Sequence, residues 1–504
     1  MSRARGLSWL LALLVLLDLL YSATQHYRQP LDGDVAAIVL PVPAYAPVLH
    51  DPFGLRLLRT GQSHAGSNRF FAHATQLAFL RAVPGWLQSV VSPISSVYLA
   101  CALLKTAVQA LLLTLLALYA RRAAAEPIAD PTDPQRPAGA GHISGFWLAA
   151  ALLAPLFQTA GYQGQMGIID RSITYAIFFA LPLSLLLALL WPFFAAWTAD
   201  RPLRLRGWRP GLLLALGVYL TFHGPLIGAV LAVLLGGGLL AWAWQRRRGN
   251  SPPLSGRAPF QLGGAGGWLV AALGLLSLYS LYLGRFNPEN EGAQLVPLTQ
   301  RYWLLLRGIG AALTGKLGLP LLLLAVLTNA GLLARHQPPT PAGARLLALL
   351  RALAWFAAAY LLLLPLGGYR AYRPLILRYD TLLPLTLGLL LAYAATALYL
   401  LRTLPGPARR WYAAGLIGFS AVYLNADRPL RPAASNAYER QAMARLAATP
   451  APVVALPAGG TLLSWRPLPD YHASEAGARL LYHWKITPEV RRYYQPEPAS
   501  GGFW

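Results

Sequence analysis

Acidic residues are among the scarcest in this 504-residue chain: 18 Asp and Glu stand against 42 Lys and Arg, for a formal charge of +24. Lysine is scarcer still, present only as Lys105, Lys316 and Lys485. The one cysteine, Cys101, sits in an apolar run, which excludes a disulfide framework and Cys-ligated zinc. No P-loop, no nucleotide-binding Gly-rich turn opening a helix and no zinc-protease motif occurs. No internal repeat is visible, which argues against a carrier built from inverted repeats. Charge of either sign is rare, at 12% of residues, while 56% are hydrophobic and mean hydropathy is +0.46. The bases fall in short clusters between apolar stretches, so no basic domain is left to bind nucleic acid.

What is present is a series of apolar runs able to cross a hydrocarbon layer about 30 Å thick. The sequence predicts an all-α polytopic membrane protein with about eleven transmembrane helices. These lie over 7–22, 95–120, 144–160, 173–198, 210–222, 225–244, 266–284, 319–334, 346–366, 380–401 and 411–424. The first follows Arg3 and Arg5 and reads as an uncleaved anchor rather than a signal peptide cut near Ser22-Ala23. Phe222-His223-Gly224-Pro225 supplies the turn of a short helical hairpin, with His223 expected at the outer surface.

With the N-terminus inside, the connections 121–143, 199–209, 245–265, 335–345 and 402–410 are cytoplasmic and Arg-bearing, as the positive-inside rule requires. An odd span count then puts the C-terminus outside. Residues 1–424 read as a membrane module with a first extracytoplasmic loop at 23–94. Residues 425–504 read as a small extracytoplasmic α/β portion, with helices near 436–449 and 474–484 and a strand at 452–456. A helix over 298–317 has the aromatics and Arg suited to lying in the interface. The expected location is the bacterial inner membrane, with the active face extracytoplasmic.

The scarce acids cluster in that first loop, as Leu31-Asp32-Gly33-Asp34 and His50-Asp51-Pro52, alongside four of the nine histidines (His26, His50, His64, His73). Asp-Gly and Asp-Pro are also ordinary turn pairs. Carboxylates and imidazoles gathered at a membrane surface suit a general base, a divalent cation, or both. Asp32, Asp34 and Asp51 are therefore the candidate catalytic residues. Asp34 and Asp51 are the candidate ligands of Mg or Mn.

One external segment breaks the positive-inside rule: Tyr369-Arg370-Ala371-Tyr372-Arg373-Pro374 and onward to Arg378-Tyr379-Asp380. Its planar guanidinium groups match phosphate oxygens, and Arg370, Arg373, Arg378 and Tyr379 are the candidate phosphate ligands, with Arg378 favoured. Snorkelling to lipid headgroups is the plainer reading of the same residues. The acid loop and the Arg loop are expected to face each other across the outer mouth of the bundle. His50, His73, His223, Glu289 and Asp380 are auxiliary or acceptor candidates.

This layout resembles the GT-C superfamily of integral-membrane glycosyltransferases. The residues carrying the likeness are Asp32, Asp34 and Asp51, and Asp51-Pro52 is similar to the Asp-Pro pair of the oligosaccharyltransferase branch. The resemblance implies a polyprenyl-phosphate or polyprenyl-pyrophosphate sugar donor and catalytic or metal-binding acids in the first loop. No Trp-Trp-Asp motif occurs, so the expectation is inverting transfer of a single hexose or pentose to an envelope glycan or lipid. Two other classes stay open: a flippase or transporter of an anionic lipid-linked substrate, and an enzyme of the O-antigen ligase or polymerase kind. Asp18, Lys105 and Arg351 are sparse ionisable groups for a coupled carrier.

The topology makes a direct prediction. In a Cys101→Ser background, an impermeant maleimide applied from outside should label His64→Cys and Trp504→Cys alike. Labelling of the first without the second would refute an odd number of spans.

Overall fold

The computed structural model describes residues 3–125, 142–247, 264–290, 296–335, 340–367, 369–370, 373 and 375–496. Among these, seven helices are long and apolar enough to cross a membrane: Arg5–Tyr27, Pro93–Ala123, Ile173–Thr198, Gly264–Gly284, Gly318–Arg335, Pro341–Leu366 and Tyr379–Thr403. Gly145–Leu156, Arg209–Thr221 and Pro225–Ala241 are apolar but shorter. The 13-residue Arg209–Thr221 helix spans only about 20 Å, less than a full hydrocarbon core. Much of the expected connections 121–143 and 245–265, along with Ala371, Tyr372 and Pro374, lies outside the described residues.

Local sequence explains where several helices begin. Ser92 and Thr340 each cap a helix through the side-chain oxygen, accepting from the N–H of Ser95 and Gly343, and each is followed by proline at the first helical position. Tyr379–Thr403 is the axis of the bundle, with 78% of its apolar window buried against 11% for Arg5–Tyr27. Its buried Ala392, Ala394, Ala395 and Ala397 let Pro93–Ala123 and Gly318–Arg335 pack closely on it. At one end of the bundle Arg345 donates to the carbonyls of Ala123, Ala125 and Thr198, groups that helix ends leave unpaired.

The opposite end carries the candidate site. The Leu298–Thr314 helix lies across it, burying Leu304, Leu305 and Gly308 and exposing Trp303 and Leu306. A Cβ at Gly308 would stand 2.6 Å from Leu377 O, so only glycine lets this helix rest on the segment leading to Arg378.

The C-terminal segment folds as helix Ala437–Ala448, strand Val453–Ala455, helix Glu475–His483 and strand Arg492–Tyr494, the two strands pairing in parallel. Its core continues into the first loop. Met443, Leu446, Val454, Leu480 and Trp484 pack in one cluster with Leu31, Val35, Val39, Leu80 and Tyr98. The division at 424/425 is thus a feature of the chain that the packing crosses.

Glu439 sits at that junction, 3% exposed, and its Oε2 accepts from Leu31 N–H at 2.9 Å and Tyr98 OH at 2.8 Å. Burial, reinforced by the charge of Asp32, pushes its carboxyl from 4.5 up to about 8. The folded state therefore holds a proton that the unfolded chain releases. Stability from this group is full below about pH 4.5 and is lost as pH rises through about 8. Thermal melts of the purified protein should fall across that window in wild type and lose the slope in Glu439→Gln; an unchanged slope would assign it to another group.

Candidate functional site

A half-open cavity of about 1170 Å³ occupies this end of the bundle. It is built from separate stretches of chain: the start of the Asp34–Val39 helix, the 66–73 turn, the N-terminal turns of Ile173–Thr198 and Pro225–Arg247, the 282–290 segment, the end of Pro341–Leu363, the Arg segment, and Trp465. Six arginines line it (Arg69, Arg285, Arg301, Arg370, Arg373 and Arg378) with three carboxylates, Asp34, Glu289 and Asp380.

The carboxylates are shared unequally. Asp380, 2% exposed, holds two guanidinium groups: Arg378 Nε donates to Oδ1 at 2.7 Å and Arg373 Nη1 to Oδ2 at 3.2 Å. Arg373 also donates to the Tyr175 hydroxyl and lies over the Tyr175 ring at 5.3 Å. Glu289 pairs with Arg370, and Arg69 Nη1 stands 3.8 Å away. Burial pushes the Glu289 carboxyl up, but Arg69 and Arg370 outweigh it and hold the group below its usual value. Among the described residues Asp34 has no ion pair. Its Oδ1 accepts from the indole N–H of Trp465 at 3.0 Å. Burial pushes its carboxyl above the usual aspartate value.

Asp34 is positioned by Asp32, which is buried and faces away from the cavity. Its two oxygens take the N–H of Asp34 at 3.1 Å, the hydroxyls of Ser172 and Thr174 at 2.7 Å each, and the N–H of Thr174 at 3.1 Å. A carboxylate with that many donors tethers two segments and has no lone pair directed at a substrate.

The other expected residues are placed as follows. Asp51 caps the turn into Leu55–Thr60, accepting from Arg56 N–H at 3.1 Å and Leu57 N–H at 2.9 Å, and it does not line the cavity. Of the two candidate cation ligands, Asp34 lines the cavity and Asp51 does not, and among the described residues no group of three His, Cys, Asp or Glu is arranged to hold a metal ion. His50 is exposed at the end of Ala46–His50 and outside the lining. His223 is buried, not at the surface: Gly224 and Pro225 turn the chain inward, and Nε2 donates to Ile177 O at 2.9 Å inside a π-helical turn. Tyr379 stands behind the lining, its ring 6.3 Å from that of Tyr175. His73 does line the cavity; its Nδ1 donates to Arg69 O at 3.0 Å, and burial lowers its pKa to about 4, so the imidazole is neutral.

Tyr175, Trp465, Asn68 and Arg69 also line the cavity and carry no local pattern that would single them out. No protein-family model, curated protein or solved structure matches this chain.

The two loop acids should separate cleanly. Asp32→Ala strands several buried donors, each worth about 1–3 kcal/mol, and should lower the melting temperature sharply, while Asp34→Ala should shift it little. Equal melting temperatures in the two variants would remove the positioning role from Asp32.

Proposed function

We propose that this protein is a membrane glycosyltransferase that moves a sugar from a polyprenyl-phosphate or pyrophosphate donor to an acceptor hydroxyl. The observation that carries the reading is the amphiphilic character of one cavity. Its polar end has twice as many arginines as carboxylates, which suits an anionic headgroup. Its wall continues as an apolar stripe, Leu226, Ala229 and Val233 on one helix and Leu278 and Leu281 on the next. Those first three residues descend one helix face for about 10 Å, which suits an isoprenoid tail.

In this reading Asp34 takes the proton of the acceptor hydroxyl, whose oxygen forms a bond to the anomeric carbon from the side opposite the phosphate. The bond between that carbon and the phosphate oxygen breaks, its electron pair leaves with the phosphate, and the configuration inverts. Arg370, Arg373 and Arg378 carry the added negative charge, the kind of preorganised stabilisation worth several kcal/mol in a site shielded from water. Asp380 and Glu289 keep those forks oriented before the donor arrives.

The same reading includes the membrane arrangement. The seven long helices, three shorter apolar ones and Gly406–Ala426 make eleven passages, with the Arg-bearing connections cytoplasmic and the cavity on the outer face of a bacterial inner membrane. The C-terminal helices and strands then form an external cap.

Purified protein incubated with a panel of polyprenyl-phosphate sugars, with release of the carrier followed, tests the proposal. Asp34→Asn should cut transfer by about 10²–10⁴ while leaving donor binding intact. Arg378→Lys should bind donor more weakly because the bidentate geometry is lost, and Arg378→Ala should be almost inactive. Wild-type donor affinity in Arg378→Ala would return these arginines to headgroup snorkelling. Movement of donor across vesicles without carrier release would favour a flippase.

A further inference from the structure

We infer that Trp465 and Tyr175 form the wall on which the acceptor is seated, and that the acceptor presents a carbohydrate ring to it. The inference rests on reading the cavity as a sugar-transfer site and names the chemistry of the second substrate.

Trp465 is 56% exposed at the cavity, although its neighbours Leu462 and Leu463 are buried in the C-terminal core. The turn that presents it is pinned rather than loose. Tyr493 OH donates to Leu462 O at 2.9 Å, Ser464 Oγ donates to Arg466 O at 2.8 Å, and Leu463 has a φ of 49°, in a region costly for a side chain of its kind. A strained, anchored turn that holds an indole out toward a cavity needs an occupant for that ring.

The indole is stacked with Tyr175, the ring centroids 6.1 Å apart and the planes at 24°. Its N–H is fixed on Asp34 Oδ1, so the other carboxylate oxygen, Oδ2, is the one left for a group resting against the rings. A pyranose or furanose has an apolar face of C–H groups and a rim of hydroxyls. It therefore matches an aromatic surface bordered by a carboxylate and a guanidinium, here Asp34 and Arg373. An isoprenoid chain would match the rings but offer no hydroxyl to Asp34, and the apolar stripe on the Pro225–Arg247 and Gly264–Gly284 helices already suits it.

Gly33 ties the platform to the acid motif. A Cβ there would lie 2.5 Å from Trp465 N and 2.6 Å from its Cδ1, while the backbone at Gly33, with φ −71°, would accept any residue. The glycine of Asp32-Gly33-Asp34 is required by the close approach of the Ser464–Trp465 backbone together with the indole, and not by its own φ.

The test is saturation-transfer NMR on the full-length protein in nanodiscs with methyl glycosides of glucose, galactose, mannose, N-acetylglucosamine and arabinose. At least one should receive saturation at its ring C–H protons. Trp465→Ala should weaken it about tenfold, the scale of one lost aromatic stack, and Trp465→Phe should recover most of the loss. Silence from every glycoside, or equal saturation in Trp465→Ala, would overturn the inference. Polyprenyl-phosphate binding measured on the same samples separates the two claims: sugar binding that depends on Trp465 without binding of polyprenyl phosphate upholds the platform and overturns the donor.

Discussion

Charge inside a cavity of low dielectric has to be matched, and at the mouth of this bundle three carboxylates face six arginines. Asp380 is the most buried of the three and orients two guanidinium groups at once. Glu289 pairs with Arg370 with Arg69 nearby, so the segment after the Gly264–Gly284 helix helps hold the Arg loop in place. Neither carboxylate cancels the charge around it. The excess of positive charge favours an anion there, and the pairing orients Arg370, Arg373 and Arg378 while Arg301 is spent on the carbonyls of Val296 and Pro365. Asp34, outside this sharing, keeps the proton affinity that burial gives it.

The acids of the chain thus divide by what surrounds them. Asp32 and Asp51 are spent on backbone and hydroxyl donors and act as fasteners. Lys105 extends the first fastening from below: buried among the helices, it donates to Gln29 Oε1 at 2.9 Å and to the carbonyl of Arg171, next to the Ser172 that grips Asp32. An amine buried this deeply is costly, and it is offset by its hydrogen bonds to Gln29 and the Arg171 carbonyl and by the nearby carboxylates Asp170 and Asp32. The position of Asp34 is set by this network two residues away.

Much of the fold was legible because a bilayer allows so few solutions: apolar runs of sufficient length become helices with their backbone groups satisfied internally. The C-terminal elements were also readable, with helix Ala437–Ala448 and strand Val453–Ala455 falling within a residue of expectation. The acid and Arg segments could be singled out because each violates a compositional rule. Which acid faces the cavity and which is buried on donors could not be read, since Asp32 and Asp34 are two residues apart and differ only in what folds against them. His223 was misplaced because a Gly-Pro turn predicts a reversal of direction but not which neighbour covers it. Trp465 was missed because its partner Asp34 lies 431 positions away.

That long separation is itself informative. Trp465 reaches Asp34 only because Leu462 and Tyr493 pack in the same cluster as Val35, one residue past Asp34. The first loop and the last segment are therefore two halves of one small core lying on the end of the bundle, with Glu439 and Tyr98 joining that core to the Pro93–Ala123 helix. The Arg loop hangs from Tyr379–Thr403 and rests on Leu298–Thr314 through Gly308. The two sides of the cavity meet at the start of Ile173–Thr198, where Ile173 and Ile177 enter the shared core, Thr174 holds Asp32, and Tyr175 both accepts from Arg373 and stacks on Trp465. A change in how the cap packs on that helix is therefore felt by the Arg loop as well as by Asp34.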